Sequence, residues 1–543
     1  MVLNNNPLLN FATVVSTLVL WGTISRTIYL KQNRVTVEIL ILPNEVLEHT
    51  LSFTLDLIST AYLSCIILVS TRVLVFTKKY IKGTTNHRRF IYLLLLFVLS
   101  IVIIVISERF ITLIIGWDGL GLTSFCLVIF YENPNSLFSG ILTVLTNRIG
   151  DSLFICTIFY LSTNIGLSSN NQSYRFKIIT ILLIIGCITK RAQIPFCSWL
   201  PAAIAAPTPI SSLVHSSTLV TAGIFVLIRY HYVFRKKRWM ILCLRILTMI
   251  TAGLCACLES DLKKLIAIST LRQLGLIIIT LSVGIWKLTL FHMILHSFFK
   301  SLIFLSIGGV ILTEIGRQES RNCQPLLNIK FSLTSRITSS ICLAGIPFIL
   351  GFYSKDSILI NIPSLTKFIT IIIFITRCAV TVAYRLRFIK LTFYSHTMGT
   401  PIIKITNRKT ILTSYTTLFT FCISLGPLLQ STLQEYSFIS RGWNILIGLL
   451  ILIRQTMLIK LLKKNKNSVS TITRLNFLSW IRTGGVSQNI KNTVHHKIEN
   501  SWLEILNETQ TITHFIKKKI NFGFYNSLKF LFTLTPSVLL LAV

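Results

Sequence analysis

Residues 189–229 read TKRAQIPFCSWLPAAIAAPTPISSLVHSSTLVTAGIFVLIR. An apolar run from Ile178 to Ile188 leads into this stretch, and another fills its last part. Between them stand Pro195, Pro201, Pro207 and Pro209. Proline lacks the amide proton and clashes with the turn before it. A helix over 178–200 therefore breaks near Pro195, and one over 208–232 starts afresh at Pro207. Carbonyls freed at such a break accept hydrogen bonds from water or an ammonium group, and Lys190 stands just before it. The pattern recurs at residues 344–356, AGIPFILGFYSKD, with Pro347 at the break and Lys355 after it. Either break alone reads as a packing kink. Two of them, each with a lysine, point to internal repeats with binding sites near the middle of a membrane.

Working outward, 52% of the 543 residues are hydrophobic and only 13% are charged, against about 25% charged in a soluble domain. The apolar residues come in runs long enough to span hydrocarbon as helices, and about fifteen such spans can be drawn. They fall at 8–30, 51–76, 90–107, 109–131, 137–163, 178–200, 208–232, 239–258, 263–284, 287–312, 331–362, 366–392, 409–428, 440–463 and 525–543. The expected class is an all-α polytopic membrane protein.

Lysine and arginine number 53 against 17 acidic residues, a formal charge of +36. On a soluble chain this balance would suggest nucleic acid. Here the basic residues cluster in short loops and at helix ends, as with Lys78, Lys79, Lys82, Arg88, Arg89 and residues 235–238. That placement suits anionic lipid headgroups instead. The twelve cysteines are scattered, with no CxxC pair, and read as small buried residues. The beginning, MVLNNNPLLN, lacks the marks of a targeting peptide, so the run at 11–24 reads as a permanent span. From 460 to 519 the chain turns polar and basic but keeps Ile498, Trp502, Ile505, Leu506 and Ile512 at helical spacing. A lateral amphipathic helix is expected within 464–524, lying on the membrane or against partner subunits, before a last span at 525–543.

Ionisable residues inside a membrane are costly and are functional candidates by default. Only five aspartates occur: Asp56, Asp118, Asp151, Asp261 and Asp356. Asp118 lies deep in LIIGWDGLGLTSF, between glycines that permit close helix approach. Arg148 and Asp151, three apart in NRIGD, share a helix face and can neutralise each other, as a structural pair or as part of a site. The span FHMILHSFFKSLIFL carries His292, His296 and Lys300, which lie within roughly 80° on a helix advancing about 100° per residue. HxxxH can present two metal ligands, but no carboxylate or cysteine shares that face and the lysine repels a cation, so no metal is assigned. His215 follows the first break among hydroxyl residues. Imidazole accepts a proton on one nitrogen and releases one from the other near neutral pH. Burial disfavours an ammonium ion and a nearby carboxylate favours it, so a buried lysine–aspartate pair can trap a proton. Asp118 with Lys190 is the expected pair. His215, His292, His296, Lys300 and Lys355 continue the track, with waters bridging the gaps.

These strings, in this order, resemble the antiporter-like subunits of respiratory complex I. The matching segments are GWDGLG, NRIGD, TKRAQIPF with WLPAA, APTPISSLVHSSTLVTAGIFVLIR, SDLKKLIAIST with QLG, FHMILHSFFKSLIF and AGIPFILGFYSKD. They are collinear over 90–392, and the long APTP string is the most specific. The resemblance implies two inverted five-helix repeats with broken helices, at 90–232 and 239–392. N-terminal helices would occupy 1–89 and additional helices 393–463. By the same resemblance Asp118 aligns with the functional carboxylate, Lys190 and Lys355 with the broken-helix lysines, and His215 with the linking histidine. His292, His296 and Lys300 align with the second half-channel, and Arg148 with Asp151 as an ion pair near the neighbouring subunit.

The family implies proton translocation in the mitochondrial inner membrane, coupled to NADH oxidation by ubiquinone. FMN, Fe–S clusters and ubiquinone would sit in partner subunits, with none in this chain. Partners would be other membrane-arm subunits, above all the neighbouring antiporter-like one, and anionic phospholipid. The chain departs from the family in four ways. Asp118 stands where many relatives have glutamate, Arg191 and Arg272 stand where small residues are usual, and the family's first helix has no counterpart. The competing assignment is the large subunit of a multisubunit sodium/proton antiporter, which shares the helical core. The lateral basic segment before the last span favours complex I.

Overall fold

The computed structural model describes residues 35–42, 49–81, 86–162, 169–231, 248–249, 251–253, 255–257, 259, 261–313, 318–319, 330–345, 349–361, 387–388 and 408–433. All belong to one compact unit, 1–473. The expected spans at 8–30, 440–463 and 525–543 and the lateral helix lie outside these residues, as do more than half of the span at 239–258 and nearly all of that at 366–392.

The first described element departs from the all-α expectation. Strands β1 (Val35–Leu42) and β2 (His49–Leu55) pair antiparallel, with Val35 opposite Leu55, Val37 opposite Phe53 and Ile39 opposite Leu51. VTVEILIL and HTLSFTL are rich in β-branched residues and suit a pleated surface. The helix expected from 51 therefore begins only at 57. Asp56 is its N-cap residue, and the Asp56 amide donates to Ser59 Oγ at 2.8 Å.

The helices follow as α1 (Leu57–Tyr80), α2 (His87–Ile106), α3 (Phe110–Val128), α4 (Pro134–Ser162) and α5 (Ser169–Lys190). After the first break come α6 (Trp199–Ala202), α7 (Thr208–Val214) and α8 (Leu219–Arg229). The remainder is α9 (Leu262–Val283), α10 (Trp286–Thr313), α11 (Lys330–Ala344), α12 (Leu350–Asn361) and α13 (Arg408–Leu433). Among the described residues, seven stretches are long and apolar enough to cross a membrane: 57–80, 87–106, 110–131, 134–161, 208–229, 262–283 and 286–312.

Burial sorts these spans into layers. α10 is enclosed along its apolar stretch, packed against α1, α7, α9, α11, α12 and α13. α4 has a broad exposed face, with Phe138, Ile141, Leu145, Ile149, Ile155 and Phe159 turned outward at helical spacing. An apolar face of that width in a membrane chain is covered by lipid or by another subunit. The ionisable residues of α10 therefore sit in the protein's interior.

Both proline–glycine segments break their helices. After Lys190 the chain turns through Ala192 (φ 54°) and a cis Ile194–Pro195 bond. Pro207 stands at the N-cap of α7, and the span 208–229 is interrupted between α7 and α8. Between α11 and α12 the chain turns at Gly345 (φ 82°); Pro347 itself lies outside the described residues.

Candidate functional site

At the first break the geometry is set by helix approach. Gly150 of α4 faces Thr189 and Gly186 of α5 so closely that a Cβ there would stand 3.2 Å from Thr189 Cβ and 3.3 Å from the Gly186 carbonyl. Trp199 ties the turn back, its Nε1 donating to the Thr189 carbonyl at 2.9 Å. This contact brings the end of α5 against the middle of α4.

Lys190, fully buried, meets three partners there. Its Nζ donates to the Trp117 carbonyl at 2.6 Å, sits 3.9 Å from the centre of the Trp117 ring, and lies 3.8 Å from Asp151 Oδ1. Asp151 Oδ2 is 3.7 Å from Arg148 Nη1, so one buried carboxylate stands between two cations. Arg148 is 51% exposed on the outer side of α4.

The pair expected from sequence was Lys190 with Asp118. Asp118 is within electrostatic range of Lys190, Asp151 and Arg148, but its Oδ1 has no hydrogen bond. Its place one residue after Trp117 brings the Trp117 carbonyl, and not the Asp118 carboxylate, to the ammonium. The nearer carboxylate is Asp151.

Arg191, the next residue, is also fully buried. Its Nη2 donates to the Gly223 carbonyl in α8, while Nε and Nη1 have no partner. His215 caps α7, is 1% exposed, and has the Ala203 backbone beside its ring. Lys263 of α9 lies within electrostatic range of it. Lys263 is buried and donates to the Ala206 carbonyl at 3.1 Å, a backbone group freed at the first break. Sequence reading passed over Lys263 because Asp261 and Lys264 beside it look like a solvated charge run.

The second cluster is built on α10. His292, His296 and Lys300 are all fully buried. The two rings are 6.5 Å apart, centre to centre, close to the roughly 6 Å rise of four helical residues. His292 Nδ1 is 2.8 Å from Ser354 Oγ of α12, and Lys300 donates to Ser269 Oγ of α9 at 2.5 Å. Lys355 reaches back across the second break to the Leu343 carbonyl at the end of α11 and lies within electrostatic range of His292. Asp118, Arg148, Asp151 and Lys190 thus form one group, and His292, His296, Lys300 and Lys355 another. Arg272, which stands where a small residue is usual, is buried on α9 one turn after Ser269.

Chemically, both groups offer buried ammonium ions held by neutral oxygens, with a carboxylate or imidazoles in series. Such sites suit proton storage and transfer.

Residues 107–381 match the family described as NADH:quinone oxidoreductase/Mrp antiporter, TM. NADH-ubiquinone oxidoreductase chain 5 of Locusta migratoria is 44% identical over 324 residues, covering 57% of this chain and 56% of the locust protein. The protein of the same name from Aedes aegypti is 40% identical over 358 residues, 64% of this chain and 61% of its own length. That from Mytilus edulis is 35% identical over 403 residues, 72% of this chain and 71% of its own. The chain thus spans somewhat over half the length of the insect relatives and over two thirds of the mussel one. Among solved structures, the Mrp complex from Dietzia sp. aligns with a TM-score of 0.73 at 19% identity, over 92% of this chain and 60% of that one. The membrane-bound sulfane sulfur reductase, an archaeal respiratory membrane complex, aligns at 0.68 with 18% identity, over 82% and 93%. At those identities the likeness is one of fold.

Proposed function

Because this chain belongs to the NADH:quinone oxidoreductase/Mrp antiporter transmembrane family, we propose that it is a proton-translocating membrane-arm subunit of respiratory complex I. It would couple NADH oxidation by ubiquinone to proton movement across the mitochondrial inner membrane. The observation that carries this reading is the burial of Lys190, Lys300 and Lys355 inside apolar helices, with Asp151, His292 and His296 beside them. A charge at the membrane centre costs about 2.5–3.5 kcal/mol even on the mildest scale, so purely structural use of three ammonium ions is expensive. The names of the relatives from locust, mosquito and mussel support the assignment to complex I.

In this reading Lys190 exchanges its proton with Asp151 and Asp118. His215 receives it after the first break, and His292, His296 and Lys300 relay it toward Lys355. Arg148 holds Asp151 in place at the border with a neighbouring subunit. A half-exposed arginine on an otherwise apolar span is poorly suited to lipid and well suited to a polar partner. The full chain would comprise about fifteen spans, with inverted repeats at 90–232 and 239–392 and a lateral helix at 464–524. Flavin, Fe–S clusters and ubiquinone would belong to partner subunits.

The test is proton pumping per electron in assembled complex carrying Lys190→Ala or Lys355→Ala. An uncharged side chain has no proton to hold, so pumping falls in both, and NADH oxidation falls with it in a tightly coupled enzyme. Unchanged pumping in either variant rejects the role for that lysine. A sodium requirement for pumping by the unmodified complex would instead favour the sodium/proton antiporter reading.

A further inference from the structure

Trp117 takes part in the first cluster in a way its sequence position did not announce. It is fully buried in α3, one residue before Asp118. The Lys190 ammonium lies 3.9 Å from the centre of its ring and 2.6 Å from its own carbonyl oxygen, so a single residue supplies both contacts. A buried tryptophan usually anchors itself through its indole N–H. Here Nε1 is buried and has no hydrogen-bond partner, a feature that calls for an explanation. The ring is held by other means: Phe154 of α4 packs on it with centroids 4.5 Å apart at 55°, one turn from Asp151 on the same helix. The ring's place is thus fixed by Phe154 and by the ammonium, at the expense of the indole hydrogen bond.

A tryptophan face attracts a cation, more strongly than tyrosine or phenylalanine does, and has no such attraction for a neutral amine. The carbonyl accepts a hydrogen bond from either form. We propose that Trp117 is the positioning residue for Lys190, a seat that holds the side chain while it carries its proton and loosens once the proton has left. This rests on the proton-carrier reading of Lys190 above and deepens it. When the proton passes from Lys190 Nζ to the Asp151 carboxylate, both groups become neutral. The ring then loses its hold, and the amine is free to turn toward the next group. When the proton returns, the seat is restored. Trp117 itself neither gains nor loses a proton.

The test compares Trp117→Phe, Trp117→Met and Lys190→Ala in the assembled complex, reading protons pumped per electron. Phenylalanine and methionine fill similar space, but only phenylalanine presents a ring face. The expected order is unmodified, then Trp117→Phe, then Trp117→Met, with methionine losing as much pumping as Lys190→Ala. Equal pumping by the phenylalanine and methionine variants overturns the seat, because a merely space-filling role does not distinguish them. Should the methionine variant not assemble, trifluorotryptophan at 117 keeps the shape and weakens the ring face. Reduced pumping then supports the seat and unchanged pumping overturns it. If Lys190→Ala pumps normally, the proton-carrier reading falls and the seat with it. If Lys190→Ala is inactive while Trp117→Met pumps normally, only the seat falls.

Discussion

Asp151 and Asp118 are the two carboxylates within reach of Lys190, and their settings differ. Asp151 is buried and lies 3.7–3.8 Å from two cations, whereas Asp118 has only electrostatic contact with the lysine; neither Oδ1 has a hydrogen bond. Removing one member of a buried pair leaves the other charge uncompensated, typically at about 3–5 kcal/mol. Asp151→Asn should therefore lower both thermal stability and pumping of the complex more than Asp118→Asn does. An equal or reversed order would return Asp118 to the place of principal partner. Arg191 poses the opposite case. Its Nε and Nη1 are buried without partners, and an unmet buried donor costs about 1–3 kcal/mol, more when charged. Arg191→Ser removes that cost and leaves a small polar residue at the turn. The expected result is a rise in the melting temperature of the complex; a fall would mean that the bond to the Gly223 carbonyl outweighs the unmet donors.

At the scale of elements, the site depends on how closely α4 and α5 approach. Gly150 lies against Thr189, immediately before Lys190, so an added methyl group pushes the helices apart where Asp151 meets the lysine. Overpacking of this kind costs about 1–3 kcal/mol. Gly150→Ala should reduce pumping at a given level of assembly, because the separation acts on the ion pair directly. Full pumping in this variant would show that the pair tolerates a wider gap. The two helix breaks illustrate the same dependence. Each frees backbone carbonyls inside the protein, and buried lysines take them up: Lys263 bonds Ala206, and Lys355 bonds Leu343. This satisfies backbone acceptors that hydrocarbon would leave unmet and fixes each ammonium near the break.

For the whole molecule, the enclosed α10 and the outward apolar face of α4 suit a membrane chain whose outer face is covered by lipid or by another subunit. In the proposed function the segment 464–524 would be the clasp, since lysines such as Lys491, Lys497 and residues 517–519 oppose its crossing the bilayer at about 2.5–3.5 kcal/mol each. Ending the chain at 463 should leave the proton-bearing core folded while the subunit separates more readily from its neighbours. Native electrophoresis of the complex reads this directly, and an intact complex of normal stability would count against the clasp.

Among the described residues, the sequence by itself determined where most apolar helices form, that the first break falls at its prolines, and that His292, His296 and Lys300 share one face. These are local properties: hydrophobic run length, the missing proline donor and the helical repeat depend only on neighbours along the chain. The alternation in VTVE is equally local and suits the strand at Val35–Leu42, which falls between two expected spans. The tertiary structure alone decided which carboxylate meets Lys190, that the Trp117 ring and carbonyl receive its ammonium, and that Ser354 and Ser269 receive His292 and Lys300. Those partners are far apart in the chain and meet through close helix packing at positions such as Gly150. A shift of an ångström or two between helices, which no local pattern encodes, is enough to exchange one partner for another.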